Sequence, residues 1–167
     1  MDQIPSKSDK KPIKRSEHIV KLSRDHHAGL LFCWKVKEGV KKEVDPLRIN
    51  KYVKFFWEQH LKEHFREEET LLFDEVNNDL TKQGKEEHAL LNGWFNRIIN
   101  DDLKSPLEYL SFTELLINHI RFEERVLFPY LEAQLPAPTL IAIGVFLEQH
   151  HMPFNDNYAD EFWSKKS

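Results

Sequence analysis

Two stretches of this chain, His64-Phe-Arg-Glu-Glu-Glu-Thr-Leu-Leu-Phe73 and His119-Ile-Arg-Phe-Glu-Glu-Arg-Val-Leu-Phe128, carry His, Arg, Glu, Glu, Leu and Phe at matching offsets. On a helix, the histidine and glutamate of His-x-x-x-Glu stand one above the other, ~6 Å apart along the axis, so both reach one point beside the helix. Imidazole nitrogen and carboxylate oxygen together suit first-row transition metals, iron among them. Two further histidines, His26 and His88, occupy inward positions of other periodic segments. His26, His64, Glu68, His88, His119 and Glu123 therefore form one candidate metal set. Two first-row metals bridged by the two carboxylates, each metal carrying two histidines, is the arrangement that this set best supports, and imidazole with carboxylate suits iron.

The elements that must position these residues follow from periodicity. Ile19, Leu22, His26, Gly29, Cys33, Val36 and Val40 recur at three and four residues over 16–42, which predicts one buried helical seam. Asp45-Pro46 restarts the chain, with the aspartate as N-cap and the proline at the first helical position. That helix is expected to reach Asn78, with Val53, Trp57, Leu61, His64, Glu68 and Leu71 on one face. A third helix over 82–100 aligns Gly84, His88, Leu91, Phe95 and Ile98. Ser105-Pro106-Leu107-Glu108 reads as a capping box, opening a fourth helix with Phe112, Leu116, His119, Glu123 and Val126 in line and a kink or stop at Pro129. Short connections favour antiparallel neighbours. The expected fold is all-α, an up-and-down antiparallel four-helix bundle with a short extra C-terminal helix over 139–150. Each seam turns polar near its middle, and each imidazole or carboxylate left unpaired in an apolar interior costs ~1–3 kcal/mol. A shared metal centre removes that cost.

Composition narrows the function classes. Lys and Arg number 24 against 28 Asp and Glu, a net charge of −4, which argues against a nucleic-acid partner. The longest apolar run, Leu140 to Leu147, falls well short of the ~18 residues that a membrane span needs. The single cysteine, Cys33, excludes an intrachain disulfide, reads as a small buried hydrophobe, and fits a reducing, cytoplasmic setting. The 167 residues suggest one domain over 16–152. Before it, 1–15 are expected to form a mobile arm that is neither signal peptide nor membrane anchor. After it comes an aromatic tail, 153–167, that periodicity does not place.

The ordered combination Asp25-His26, His64-x-x-x-Glu68-Glu69, Glu87-His88 and His119-x-x-x-Glu123-Glu124 resembles the hemerythrin-like (HHE cation-binding) family over about 16–135. The resemblance implies a bundle around a non-haem di-iron centre. Glu68 and Glu123 would bridge, His26 and His64 would serve one iron, and His88 and His119 the other. The chain departs from the oxygen-carrying hemerythrins of invertebrates at two points. Their third helix supplies a second histidine where this chain has Asn92, and their last carboxylate is an aspartate five residues after its histidine, whereas Glu123 lies four after His119. With one histidine fewer, a coordination position is open or held by water. That moves the expectation toward the bacterial members linked to oxygen, nitric oxide or iron handling. The expected function is binding of dioxygen or a related small diatomic ligand such as nitric oxide, as sensor, store or scavenger. The alternatives are a di-iron enzyme acting on ferrous iron, peroxide or nitric oxide, and an iron-dependent interaction module that meets a protein partner through an exposed aromatic tail.

Several neighbours compete with this set. His27 lies on a second stripe with Val20, Leu30 and Trp34, and seam continuity selects His26 over it. His60, one turn before His64, reads as partly solvated, with support of the site or a further ligand role as the alternatives. Glu67, Glu69 and Glu124 read as solvated faces paired with Arg66, Arg121 or Arg125, or else as extra ligands. His18, His150 and His151 read as exposed near helix ends, and Trp34, Trp57 and Trp94 as core.

Overall fold

The computed structural model describes residues 14–103 and 105–165, so most of the expected N-terminal arm lies outside the described residues. Helix α1 spans Val20–Lys41. A second rod joins α2 (Pro46–Phe56), a π-helical turn (Trp57–Leu61), α3 (Lys62–Glu67), a second π-helical turn (Glu68–Leu72) and a 3-10 turn (Phe73–Glu75). Helix α4 spans Asp79–Ile99. The next rod joins α5 (Pro106–Phe122), a π-helical turn (Glu123–Leu127) and α6 (Phe128–Gln134), and α7 (Ala137–His150) follows. The described residues contain no strand. Helix α1 packs on α5, α5 on α4, α4 on α2 and α2 on α1, so the contacts close a ring. No single described helix is long and apolar enough to cross a membrane.

The sequence marks some helix starts and misses others. The Asp45 carboxylate accepts the Leu47 N–H at 3.0 Å with Pro46 behind it, as the dipeptide predicts. Ser105 makes no side-chain cap, and the Glu108 carboxylate pairs with the Arg97 guanidinium, so the expected capping box does not form. The third helix starts earlier than expected: Asn78 accepts the N–H groups of Leu80 and Thr81, and Thr81 Oγ1 accepts the Asn78 N–H, a capping box in which threonine takes the glutamate's place.

The π-helical turns change the register at the functional level. Glu68 and Glu123, equivalent positions of the sequence repeat, each open such a turn. A π turn takes more residues than an α turn, so the next inward side chain arrives one position late. Leu72 and Leu127 are fully buried, whereas the expected Leu71 is half-buried and Val126 is 43 % exposed. The same local widening accommodates Pro129, which lacks an N–H, and the rod continues through it into α6; Pro129 does not end it.

Apolar side chains gather in two separate cores. One holds Phe32, Cys33, Phe56, Phe95 and Phe112; the other holds Ile19, Leu22, Leu72, Leu127 and Phe128, capped by Ile143 and Leu147 of α7. The chain after α7 packs on the first core and is not an exposed tail. Tyr52 Oη donates to Asp156 at 2.7 Å, Arg48 grips Asp160 with two hydrogen bonds, and Phe162 is fully buried. Gly39 makes room for it, since a Cβ there would lie 2.7 Å from the Phe162 ring. At the other end Arg15 is pinned, donating to Glu132 at 2.6 Å and to the Glu124 carbonyl at 2.7 Å.

Candidate metal centre

Along α1 the inward positions run from Leu22 in one core to Cys33 in the other, and His26 lies between them. The same layer receives His64 from α3, His88 from α4 and His119 from α5, with Glu68 and Glu123 from the first positions of their π turns. All six are buried, with at most 4 % exposure, as found for His26. The structure thus brings together every candidate of the sequence set. His27 faces solvent, which settles the choice between it and His26 on the buried seam.

The six side chains form two groups, His26, His64, Glu68, Glu123 and Glu68, His88, His119, Glu123, that share both glutamates. Within each group one donor atom per residue lies within 4.8 Å of all the others. Glu68 directs Oε2 to His64 Nε2 at 3.1 Å and Oε1 to His88 Nε2 at 3.1 Å. Glu123 directs Oε1 to His26 Nε2 at 2.8 Å and Oε2 to His119 Nε2 at 3.2 Å. Each carboxylate therefore offers one oxygen to either group.

The outward nitrogens are all engaged. Nδ1–H of His26 donates to Glu124 at 2.7 Å, that of His64 to Asp25 at 2.9 Å, that of His88 to Glu69 at 2.7 Å and that of His119 to Glu87 at 2.7 Å. A carboxylate only accepts, so each contact places a proton on Nδ1, and Nε2 is the nitrogen that can supply a lone pair once it has shed its own proton to an arriving cation. The pattern obeys the sequence repeat. The acid preceding His26 or His88 holds the His-x-x-x-Glu histidine of its own half, and the acid following Glu68 or Glu123 holds the lone histidine of the other half. Sequence reasoning treated Glu69 and Glu124 as solvent-facing and gave Asp25 and Glu87 no separate role. The available signal was adjacency: a side chain next to an inward one points ~100° away, where it cannot reach the same centre but does reach the neighbouring helix.

Electrostatics follow from this geometry. Burial pushes the Glu68 carboxyl up, and the charge of Glu123 adds to that, yet His64 and His26 bring it down to about 2. Glu123 is held well below the usual carboxylate range: burial opposes this, and His119, His26 and His88 outweigh it. Burial would lower the imidazoles, but the carboxylates around them hold His26 and His88 well above the ordinary range and raise His64 to about 9. The layer is built to collect positive charge around two ionised carboxylates, and two cations would supply it in place of protons. His64, His88 and His119 Nε2, Glu68 Oε1 and both Glu123 oxygens are buried without hydrogen-bond geometry to any partner. Such atoms are costly to bury and suit metal coordination.

Other positions depart from expectation. His60 is buried at 5 % exposure, and Glu67 is buried against His151 at 2.9 Å and not paired with an arginine. His151 also reaches Asp25 at 3.2 Å and is mostly covered, whereas His150 is exposed. Trp57 is core, Trp94 is half-buried, and Trp34 is 48 % exposed. Asn92 is exposed and lines a groove outside His88, so its side chain does not join the buried layer.

An all-helical chain with four inward histidines and two shared carboxylates belongs to the class of helical cation-binding domains. The family model for the hemerythrin HHE cation binding domain matches residues 18–131, and the chain belongs to that family. Comparisons with curated proteins and with solved structures return no match.

Proposed function

We propose that this chain is an up-and-down antiparallel four-helix bundle with an extra C-terminal helix, that it holds two iron ions, and that it binds dioxygen or a related small diatomic ligand as a sensor, store or scavenger. The closed ring of helix contacts supports the topology. The observation that carries the metal reading is that both glutamates belong to both groups of donors. His26 and His64 would hold one ion, His88 and His119 the other, and Glu68 and Glu123 would bridge. Iron in this donor set supplies exchange of electrons with a small diatomic ligand. The chain's own contribution is to fix donor direction through Asp25, Glu69, Glu87 and Glu124, because outer hydrogen bonds orient imidazoles and raise their basicity. The apolar cores on either side limit water around the layer. A lone buried cysteine agrees with a reducing, cytoplasmic compartment.

Metal analysis and optical spectra of protein from iron-rich medium test the proposal. Two irons per chain, and a spectral change on admission of oxygen that reverses on its removal, are the expected result. One metal per chain, or no response to oxygen or nitric oxide, refutes it. A groove of about 670 Å³ lined by His88, Phe65 and Asn92, open to solvent beside the layer, supports a second reading, an enzyme acting on ferrous iron, peroxide or nitric oxide. Sustained turnover without a reversible adduct would select that reading.

A further inference from the structure

Behind His64, on the Asp25 side, lies a separate cavity of about 300 Å³. Asp25 is an acid with two tasks: its Oδ2 accepts from His64 Nδ1, and its Oδ1 lies 3.2 Å from His151 Nε2. Glu67 sits one position before Glu68 and so points away from the central layer, with Oε1 placed 2.9 Å from His151 Nδ1. Asp25 and Glu67 are buried to 7 % and 4 % exposure, and the His151 side chain retains 5 %. One donor atom from each of these three residues lies within 4.8 Å of the other two.

A second observation is independent of that cluster. His60 lines the same cavity, is 5 % exposed, and carries a buried Nε2 that meets no hydrogen-bond partner. A buried imidazole nitrogen without a partner needs an explanation, and a bound cation is one that the surroundings support. The lining residues include Glu63 as a further acid and neither lysine nor arginine. Gln59, Glu63 and Met152 on the cavity wall are exposed, so ions reach it from solvent.

The geometry points to a third cation site, for a divalent first-row metal held by Asp25, Glu67 and His151 in the cavity that His60 also lines. Imidazole with carboxylate oxygens is the donor mixture such ions take. The site stands on residues that the central pair does not use as donors, so it goes beyond the two-ion reading and does not rest on it. Asp25 connects the two, because its carboxylate would touch the third ion through one oxygen and His64 through the other. Occupation of the outer site would therefore be felt at the central layer through one carboxylate and one imidazole.

The test is a cobalt(II) titration of the metal-free full chain under chelator competition, with plasma emission counting after desalting. The wild type is expected to take one equivalent more than His151→Ala, and Glu67→Gln is expected to lose the same equivalent. Far-ultraviolet circular dichroism checks that both variants keep the wild-type helix content, and if His151→Ala does not, Glu67→Gln decides. The two proposals fail separately. A wild type that takes two ions and loses none in the variants keeps the central pair and overturns the outer site. A wild type that takes two and loses one keeps the outer site and refutes the pair.

Discussion

Removing Glu124 should weaken one metal position, and removing Glu69 the other. Glu124 accepts the His26 Nδ1–H at 2.7 Å and is itself fixed by Ser23 Oγ at 2.8 Å and by Arg15 at 3.3 Å, with its side chain 24 % exposed. Glu69 holds His88 at 2.7 Å with its side chain 36 % exposed, and shows no comparable bracing. Loss of an orienting carboxylate behind a metal-bound histidine typically costs ~10–100-fold in affinity, which is ~1.4–2.8 kcal/mol at 1.4 per tenfold. The braced Glu124 belongs near the upper end of that range and Glu69 near the lower. Glu124→Gln keeps an acceptor and loses only the charge, so it should fall between Glu124→Ala and wild type. Competition of metal-free protein with a chelator for cobalt(II) gives the stepwise constants, and the exposed neighbour Arg125→Ala serves as the control. Glu124→Ala should depress the step assigned to His26 and His64, and Glu69→Ala the step assigned to His88 and His119. Constants within threefold of wild type, or both variants weakening one and the same step, would refute the cross-bracing.

His26→Ala should lose iron occupancy and the near-ultraviolet charge-transfer bands while His27→Ala keeps both, since the first is buried and the second faces solvent; the reverse result would rotate α1 by ~100°. Saturating metal should raise the melting temperature. At a thousandfold excess over Kd the stabilisation is ~4 kcal/mol per independent site, and at ~2–4 °C per kcal/mol for a chain of this size calorimetry should read a rise of roughly 8–16 °C for each site filled, whereas coincident curves would contradict a buried site. Metal binding should release protons. Burial lowers His64, but Glu68 and Asp25 raise it to about 9 in the metal-free chain, so it is protonated below that pH and must shed its proton to coordinate. Calorimetric titration in buffers of different ionisation enthalpy should show release at pH 7 from which the His64 share fades above pH 9, and equal heats in all buffers would count against it. Cys33, whose thiol burial pushes up to about 12, should react with a disulfide reagent far more slowly in native than in denatured protein, and comparable rates would mean that the first core opens readily.

How much of this was legible in the chain depended on whether the helix kept its period. From Ile19 through most of α1 it does, and Ile19, Leu22, His26, Gly29, Cys33 and Val36 are all buried as read, but at the end of the helix Gly39 is buried and the expected Val40 is half-buried. In the two repeat rods the period changes at Glu68 and Glu123, so a pattern continued at three and four residues ends on Leu71 and Val126 instead of Leu72 and Leu127. The capping threonine Thr81 and the silent Ser105 show the same limit at helix ends, where several residue types satisfy one backbone N–H. The tail was illegible for another reason: Phe162, Trp163 and Asp156 are placed by partners on α1 and α2, far away in the chain, and no local period encodes that. Charged residues were misread most often. Hydropathy assigns Asp25, Glu67, Glu69 and Glu124 to solvent, yet each meets an imidazole on a neighbouring element, and Asp25 meets two.

That last group explains why the acids come next to the metal-facing residues. A helix that directs one donor at a common centre must direct its neighbour sideways, and in a closed ring of helices sideways means at the next helix. Doubling the acid as Glu68-Glu69 or Glu123-Glu124 lets one residue face the centre while the other fixes a histidine contributed by the opposite half of the repeat. Asp25 and Glu87 do this within each half, and Glu69 and Glu124 do it between halves. Two halves that each supply a histidine, a His-x-x-x-Glu and two acids thus cannot orient all their own donors. Each half depends on the other for one imidazole, which makes the paired arrangement the smallest unit in which every Nδ1 is held.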